Sequence, residues 1–590
     1  MLGLTRAFAF ALVTMFASPA DEVAPPTEPA PPRAVPEAAE PQPQPQPAPP
    51  ADESASETVE VSLPPVLVIA ADRGFMGNEE LRDSVGEFVA ATGARAQLVL
   101  LTGKSDDAKL RRALDHLASD SVVVLPLFIS DDHPRFVEAK ALLADVGAKW
   151  SAPFGESYFA VEILAERLRQ IEKPKRHNTV LLSYGALTPE QRVAMQADLD
   201  RIAKHASAGL GLRRVRSLVW HEYDSPDEEE RRKEVTREFA REMLRLGRTA
   251  VVPFNLGIKL DSMMSISGFV KRYLPRRSQY VGGDVLPHPA VAQWMQRELN
   301  RHRELTIDDL GVVFLAHGAT FDWNETMRNA VEPLTAKYKV EFAFSMADRP
   351  VVEQAVRRLE ARGASAIVVV RVFGLESSFV PTVDRMLGQD VEGGHHGHGM
   401  HHEHGGRSRR ARGGHGHHGM NDGPRIRSTA HMVSVGGIED DALFAGALLG
   451  RARALSRDPS RETVLVVAHG AGEDEDNDHW NRVLESLARQ MKEQGGNDFR
   501  AIEIGTWRED WPKKRGPEIE RIRGIVERGS ANGRVLVIPA RTTLEGPERK
   551  LLQGLEYELG SGFAPSPEFL RWVEDQVIEG AGRLGIQAGQ

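Results

Sequence analysis

Two histidines occupy matching positions in two similar stretches of the chain. GVVFLAHGATFDWN (311–324) and TVLVVAHGAGEDEDN (463–477) each end an apolar run in Ala-His-Gly and reach an Asn after a polar loop. Imidazole binds divalent metals and exchanges protons near neutral pH, so His317 and His469 are candidates for metal or proton-transfer chemistry. The alternative is a histidine that only caps its strand by hydrogen bonding, which a duplication would copy unchanged.

Both histidines follow continuous apolar runs, which are typical of strands buried on both faces of a parallel sheet. From residue 63 onward the chain repeats four times the order strand, amphipathic helix, strand, helix and a last strand rich in Val and Ile. Ligands of open parallel sheets bind at the carboxyl ends of the strands, where both histidines lie. We therefore predict an α/β fold of four repeated lobes, each a parallel sheet flanked by helices, paired into two bilobal modules.

The first twenty residues have the pattern of a secretory signal, with Arg6, an apolar core and a small-residue end. The core is too short to span a bilayer, which takes about 20 apolar residues. We therefore expect cleavage and a periplasmic or secreted protein with no stable membrane span. A mis-started N-terminus or a short membrane anchor is the alternative.

Composition limits the chemistry. The chain has no cysteine, so a metal site must use His, Asp or Glu. The net charge is −10, and most of it comes from residues 21–60, which carry nine acids and one Arg. The remaining body has no basic excess, which gives no support for nucleic-acid binding.

The motifs resemble a known family. The VVAHGA opening, the stretch FAFSMADRPVVEQAVRRLEARGA and the segment VVVLPLFISDDH are similar to those of sirohydrochlorin cobaltochelatases and ferrochelatases of the CbiX/SirB type. These class II chelatases insert Co²⁺ or Fe²⁺ into a modified tetrapyrrole without a nucleotide. The resemblance therefore implies a tetrapyrrole and a divalent metal (cobalt, iron, or else nickel or zinc) as partners.

The resemblance also implies site residues. His317 and His469 match the histidine after the first strand and are the implied catalytic residues and metal ligands. The family's second histidine, in the closing loop, maps onto His133, whereas the third and fourth lobes lack it. Either Glu376 and Glu545 in those closing loops replace the missing ligand, or His133 completes a site from a facing lobe.

Other residues have open roles. Arg371 and Arg541, at the ends of closing strands, would pair with substrate carboxylates or serve only as structural residues. A His-rich stretch would bind divalent metals loosely or act as a solvated linker. Its candidate ligands are His395, His396, His398, His401, His402 and His404.

Composition and the repeated pattern, together with the resemblance, give the expected domains. They are a signal peptide at 1–20, a Pro/Glu-rich disordered linker at 21–62, chelatase-like lobes at 63–170, 305–390 and 426–585, a degenerate lobe at 175–300 and a His-rich flexible insertion at 391–425. The expected function is insertion of Co²⁺ or Fe²⁺ into a sirohydrochlorin-type tetrapyrrole by an exported, chelatase-like protein. The rival is a non-catalytic periplasmic protein that binds metal or tetrapyrrole, which the incomplete histidine pairs favour.

Overall fold

The computed structural model describes residues 63–119, 121–221, 248–258, 278–392 and 423–587, with scattered positions between 230 and 265. The predicted signal peptide and linker, and nearly all of the His-rich insertion, lie outside the described residues.

The first two sheets each contain four parallel strands. The first has the order β2-β1-β3-β4, and its strands are β1 (Val66–Ala71), β2 (Ala96–Leu101), β3 (Val123–Leu127) and β4 (Lys149–Trp150). The second has the order β10-β7-β5-β6, with β5 (Asn178–Ala186), β6 (Arg214–His221), β7 (Thr249–Pro253) and β10 (Gln279–Tyr280). A small antiparallel hairpin, β8 (Leu260–Asp261) and β9 (Met264–Ser265), precedes β10.

The third and fourth sheets repeat this arrangement. The third has the order β12-β11-β13-β14, with β11 (Leu310–Ala316), β12 (Lys339–Phe344), β13 (Ala366–Val372) and β14 (His431–Gly436). The fourth has the order β16-β15-β17-β18, with β15 (Glu462–Ala468), β16 (Ala501–Thr506), β17 (Arg534–Pro539) and β18 (Glu558–Leu559). The prediction of four parallel-sheet lobes is thereby confirmed.

Helices cover the sheets and connect their strands. They are α1 (Gly74–Thr92), α2 (Asp106–Leu117), α3 (Pro134–Leu142), α4 (Tyr158–Arg169), α5 (Pro189–Ala206), α6 (Pro289–His302), α7 (Phe321–Val331), α8 (Arg349–Ala361), α9 (Val380–Leu387), α10 (Gln389–Glu392), α11 (Ala442–Leu455), α12 (Asp474–Glu493), α13 (Pro512–Ala531), α14 (Glu548–Leu551) and α15 (Pro567–Arg583). Across the described part of the chain, none of these helices has the length and apolarity that a membrane span requires.

Two helices cross from one lobe to the sheet of its neighbour. α15 follows the fourth sheet but packs on β13 and β14 of the third, and α6 follows the second sheet but packs on α1 and β3. α15 packs closely on β13 at Gly580. A Cβ atom added to this glycine would lie only 2.4 Å from Val368 Cγ1. One apolar core therefore joins the third and fourth sheets and another joins the first and second, which gives two bilobal modules.

The third sheet is completed by residues beyond the His-rich insertion. β14 pairs in parallel with β13, with Val433 opposite Val368. This sheet therefore extends past residue 426, the predicted start of the fourth lobe. The difference arises because the insertion interrupts a lobe between its third and fourth strands, and hydrophobic periodicity does not show which sheet a short strand joins.

Buried ion pairs connect the two modules. Arg425, whose side chain is fully buried, pairs with Glu162 of α4 at 2.9 Å and with Asp390 of α10 at 2.6 Å. Arg297 of α6 pairs with Glu392 at 2.8 Å. A buried charge is costly unless it is paired, so these contacts hold the modules in one relative arrangement.

Candidate functional site

An asparagine holds the loop after the first strand in three of the lobes. The Oδ1 atoms of Asn78, Asn324 and Asn477 accept backbone N–H groups at 2.9, 3.1 and 3.2 Å, respectively. The glycines that follow the two histidines have φ values of 71° and 77°, in the left-handed region that favours glycine. The Ala-His-Gly motif and its Asn therefore form a tight turn that places the histidine at the carboxyl end of the strand.

His317 follows β11 and is exposed. Its Nδ1–H donates to the carbonyl oxygen of Gly318 at 2.6 Å. A neutral imidazole carries one N–H, so Nε2 holds the free lone pair. Within the described ranges no carboxylate is bonded to this ring. His317 is therefore suited to accept a proton.

His469 follows β15 and has a different environment. Its Nδ1–H donates to the carbonyl oxygen of Gly470 at 2.8 Å. Its Nε2 lies 3.2 Å from Glu509 Oε1 and 3.0 Å from Asp510 Oδ2, while the ring is 35% exposed. The Trp511 ring stands perpendicular to the imidazole, with 5.5 Å between the centroids. Both carboxylates come from the short loop between β16 and α13.

Both ring nitrogens of His469 thus face oxygen acceptors. The single N–H of a neutral ring is used by Gly470, so the Nε2 lone pair points at two carboxylate oxygens. That contact is repulsive unless a second proton or a cation lies between the atoms. A metal ion placed between Nε2 and the two carboxylates would remove that repulsion.

The distances from His469 Nε2 to the two carboxylate oxygens are those of hydrogen bonds. Across the described residues, no group of three His, Asp or Glu side chains is arranged to hold a metal ion. A tetrahedral metal with ligand distances of about 2.1 Å keeps its donor atoms about 3.4 Å apart. Each of the two carboxylate oxygens, at 3.2 and 3.0 Å from His469 Nε2, is within a few tenths of an ångström of that separation from the ring nitrogen.

The two candidate arginines differ in their contacts. Arg541 Nη2 lies 2.6 Å from Glu509 Oε1, so this side chain adjoins the His469 cluster. Arg371 is buried and donates to Ser434 Oγ and to three backbone carbonyl oxygens of nearby loops. Burial lowers the pKa of Arg371. Its hydrogen bonds tie the ends of β13 and β14 together, as a structural residue would.

The two closing-loop glutamates have partners other than the histidines. Glu545 pairs with Arg549 at 2.7 Å, and the backbone N–H of Glu376 donates to Glu439 at 2.7 Å. The carboxylates brought to His469 are instead those after the second strand of the sheet. β16 and β17 both flank β15, and the loop after β16 turns directly into α13, which keeps its acids at the strand end.

His133 lies in the first module. It is buried, accepts the Arg135 backbone N–H at 3.2 Å as the N-cap of α3, and packs on Phe128. A Cβ added to Gly185 of β5 would lie 2.6 Å from His133 Nε2, so the ring faces the second lobe. That lobe has Tyr184 in place of a histidine at its first strand.

The strand ends of the first module are filled by a buried pair. The Arg73 guanidinium lies 4.7 Å from the centre of the Tyr184 ring, and both side chains are buried. Burial raises the pKa of Tyr184 to about 12. Nearby, Asn255 donates to Asp284 at 2.9 Å, and burial raises the pKa of this carboxyl group. The two histidines that follow a first strand therefore both lie in the second module.

The histidines of the insertion, His395, His396, His398, His401, His402 and His404, lie outside the described residues. The sequence analysis also missed Glu509 and Asp510. The available signal was TWREDWP, in which two acids directly follow an apolar strand, at the same sheet edge as the first-strand histidine.

In the second module a histidine directly follows the first strand of each lobe. The resemblance is confirmed over residues 311–404, which match the family model CbiX. A solved structure from Deinococcus radiodurans, DR2241, described as a multi-domain protein with structural similarity to chelatases and two additional novel domains, is similar at 17% identity. The match covers 46% of this chain and 55% of that chain, with a TM-score of 0.30. No curated protein matches the chain.

Proposed function

We propose that the chain is a chelatase that binds a divalent metal at His469 and transfers it to a tetrapyrrole between the third and fourth lobes. The observation that carries this proposal is the pair of acceptors facing the two ring nitrogens of His469. In a neutral His469 the Nε2 lone pair faces the carboxylate oxygens of Glu509 and Asp510. A divalent ion between these atoms is bound by all three side chains and removes the repulsion. Imidazole with carboxylate suits Co²⁺, Fe²⁺ and Zn²⁺, and cobalt or iron is the proposed substrate metal.

Insertion exchanges two pyrrole N–H protons for one divalent ion, so the site needs a proton acceptor as well as a metal ligand. His317 supplies the lone pair of its exposed Nε2, because Nδ1 is committed to Gly318. We therefore assign metal delivery to His469 and proton acceptance to His317. The first module, with its buried Arg73–Tyr184 pair, serves as a scaffold.

The test is metal insertion into sirohydrochlorin by the full-length chain, followed by absorbance with Co²⁺ or Fe²⁺. His469→Ala should abolish tight metal binding, measured by calorimetry, and insertion with it. His317→Ala should keep metal binding and lower the insertion rate by about 10²-fold, as the loss of a general base does. Glu545→Gln, whose partner is Arg549, is the matched control and should behave as the wild type.

Equal insertion rates in the wild type and both histidine variants would overturn the catalytic assignment. Metal binding that persists in His469→Ala would place the metal elsewhere.

The second candidate is a non-catalytic metal-binding protein. The observation that favours it is that His469, Glu509 and Asp510 all belong to the fourth lobe, so a metal can be held without a second lobe. This candidate predicts that wild-type protein binds Co²⁺ through His469 but inserts none into sirohydrochlorin.

A further inference from the structure

The third and fourth lobes touch at the carboxyl edges of their sheets through the start of α12, and further along α12 Ser486 and Gln490 donate to Asp440. His479 and Trp480, in the second turn of α12, reach the loops after β13 and β14. His479 Nε2–H donates to Glu439 at 2.6 Å. The Trp480 ring packs directly on Gly374. A Cβ atom added to this glycine would lie only 2.6 Å from Trp480 Cη2. We call His479, Trp480, Glu439 and Gly374 the interlobe contact.

Glu439 is held so that its carboxylate can bridge the two lobes. Its backbone has φ 48°, which is unfavourable for a residue with a side chain, and its N–H donates to the Gly374 carbonyl at 3.0 Å. One carboxylate oxygen accepts from His479, and the other accepts the Glu376 backbone N–H at 2.7 Å. The carboxylate thus ties both closing loops of the third lobe to the first helix of the fourth.

The contact lies next to the two candidate histidines. α12 begins five residues after His469, and β13 is the neighbour of β11, which ends before His317. Trp480 and Trp323, one from each lobe, are both partly buried and packed on the core that the two sheets share. The interlobe contact therefore lies between the two sheet edges that carry the histidines.

The first module has a contact in the corresponding place with different residues. Ser130, in the loop after β3, donates its hydroxyl to Asp198 of α5, the first helix of the second lobe, at 2.6 Å. In both modules a closing loop of one lobe is therefore bonded to the helix after the first strand of the next, from the third strand in the first module and from the fourth strand in the second. The recurrence indicates that this contact belongs to the pairing of lobes.

We propose that Glu439, His479 and Trp480 are positioning residues that set the spacing between the third and fourth lobes, and thereby the affinity for a flat tetrapyrrole lying between His317 and His469. This inference rests on the proposed function. The proposed metal ligands, His469, Glu509 and Asp510, all belong to the fourth lobe. A change in the interlobe contact should therefore weaken tetrapyrrole binding and leave metal binding unaffected.

The first readout is geometric. The chain has no cysteine, so Glu332→Cys and Glu520→Cys, exposed positions of the third and fourth lobes, accept spin labels without background labelling. In the full-length chain, His479→Ala with Trp480→Ala should broaden and lengthen the distance distribution between the labels. His479→Gln keeps a donor for Glu439 and should retain the wild-type distribution.

The second readout is kinetic. The double alanine variant should raise the KM for sirohydrochlorin about tenfold and leave kcat within about twofold, because only ligand binding is weakened. Its Co²⁺ affinity should equal that of the wild type. His479→Gln should restore the KM.

The outcomes separate the two proposals. A wild-type protein that inserts no metal counts against the proposed function. An active protein whose label distances, or whose KM, stay unchanged in the double alanine variant overturns the positioning role. A variant that loses Co²⁺ affinity as well also overturns it, since the contact would then support the fourth lobe as a whole.

Discussion

At the scale of single residues, the two Ala-His-Gly motifs have the same backbone and different surroundings. In both, the histidine Nδ1–H donates to the carbonyl oxygen of the following glycine, and an asparagine Oδ1 accepts a backbone N–H of the turn. The difference lies in the loop after the second strand, where the fourth lobe has Glu509 and the third lobe has Ala347 at the corresponding position. The same register places Asp348 at the position corresponding to Asp510, so the third lobe keeps one of the two acids, but among the described residues carboxylates contact the histidine only in the fourth lobe.

Asn477 should be the more sensitive residue of this loop, because it is buried and its Oδ1 accepts the Ala471 N–H. Asn477→Ala leaves that backbone donor unsatisfied, and we expect a loss of about 1–3 kcal/mol in the free energy of unfolding. Urea denaturation measures it. Asn532→Ala, at an exposed helix end, is the control and should change stability by about 0.5 kcal/mol or less. Equal effects of the two substitutions would contradict the role of the Asn.

At the scale of elements, the crossing of α15 onto the third sheet depends on a close approach. Gly580 faces Val368 of β13, whereas a Cβ added to Gly582 on the same helix would meet no atom within 4 Å. Gly580→Ala should lower the free energy of unfolding by about 1–3 kcal/mol through overpacking. Gly582→Ala should raise it by about 0.5–1 kcal/mol, because alanine favours the helix. Thermal unfolding of both variants tests the packing, and a stabilising Gly580→Ala would refute it.

At the scale of the whole molecule, the junction between modules should be sensitive to acid. His431 of β14 has a lowered pKa, first because it is partly buried and then because Arg297, Arg301 and His302 of α6 are nearby. The folded state therefore binds fewer protons than the unfolded chain. Stability is complete above the unfolded pKa of about 6.5 and falls as the pH drops through that value towards the folded pKa.

Between pH 7.5 and 5 we expect this histidine to account for part of the loss in unfolding free energy, because the unfolded chain binds this proton more readily than the folded chain. His431→Gln should reduce the loss, measured by denaturation at each pH. His116→Gln, on an exposed face of α2, is the matched control substitution. An identical pH profile for His431→Gln and the wild type would exclude this origin.

The sequence by itself determined the repeated units and their strand ends. Apolar runs such as VVFLA and VLVVA must be buried on both faces, and a His-Gly pair directly after them must lie at the carboxyl edge of a parallel sheet. Periodicity and turn chemistry are local properties, so four lobes, two modules and the presentation of His317 and His469 were predictable.

Only the tertiary structure decided what surrounds those strand ends. Glu509 and Asp510 meet His469 because β16 lies beside β15, while Glu545 pairs with Arg549 within its own loop. The membership of β14 in the third sheet, the crossing of α15 and the contact of His479 with Glu439 likewise join residues distant in the chain. Such contacts depend on which helices and strands pack together. That packing is determined by the shape of the whole fold and the total surface it buries, and not by the sequence pattern of any one segment.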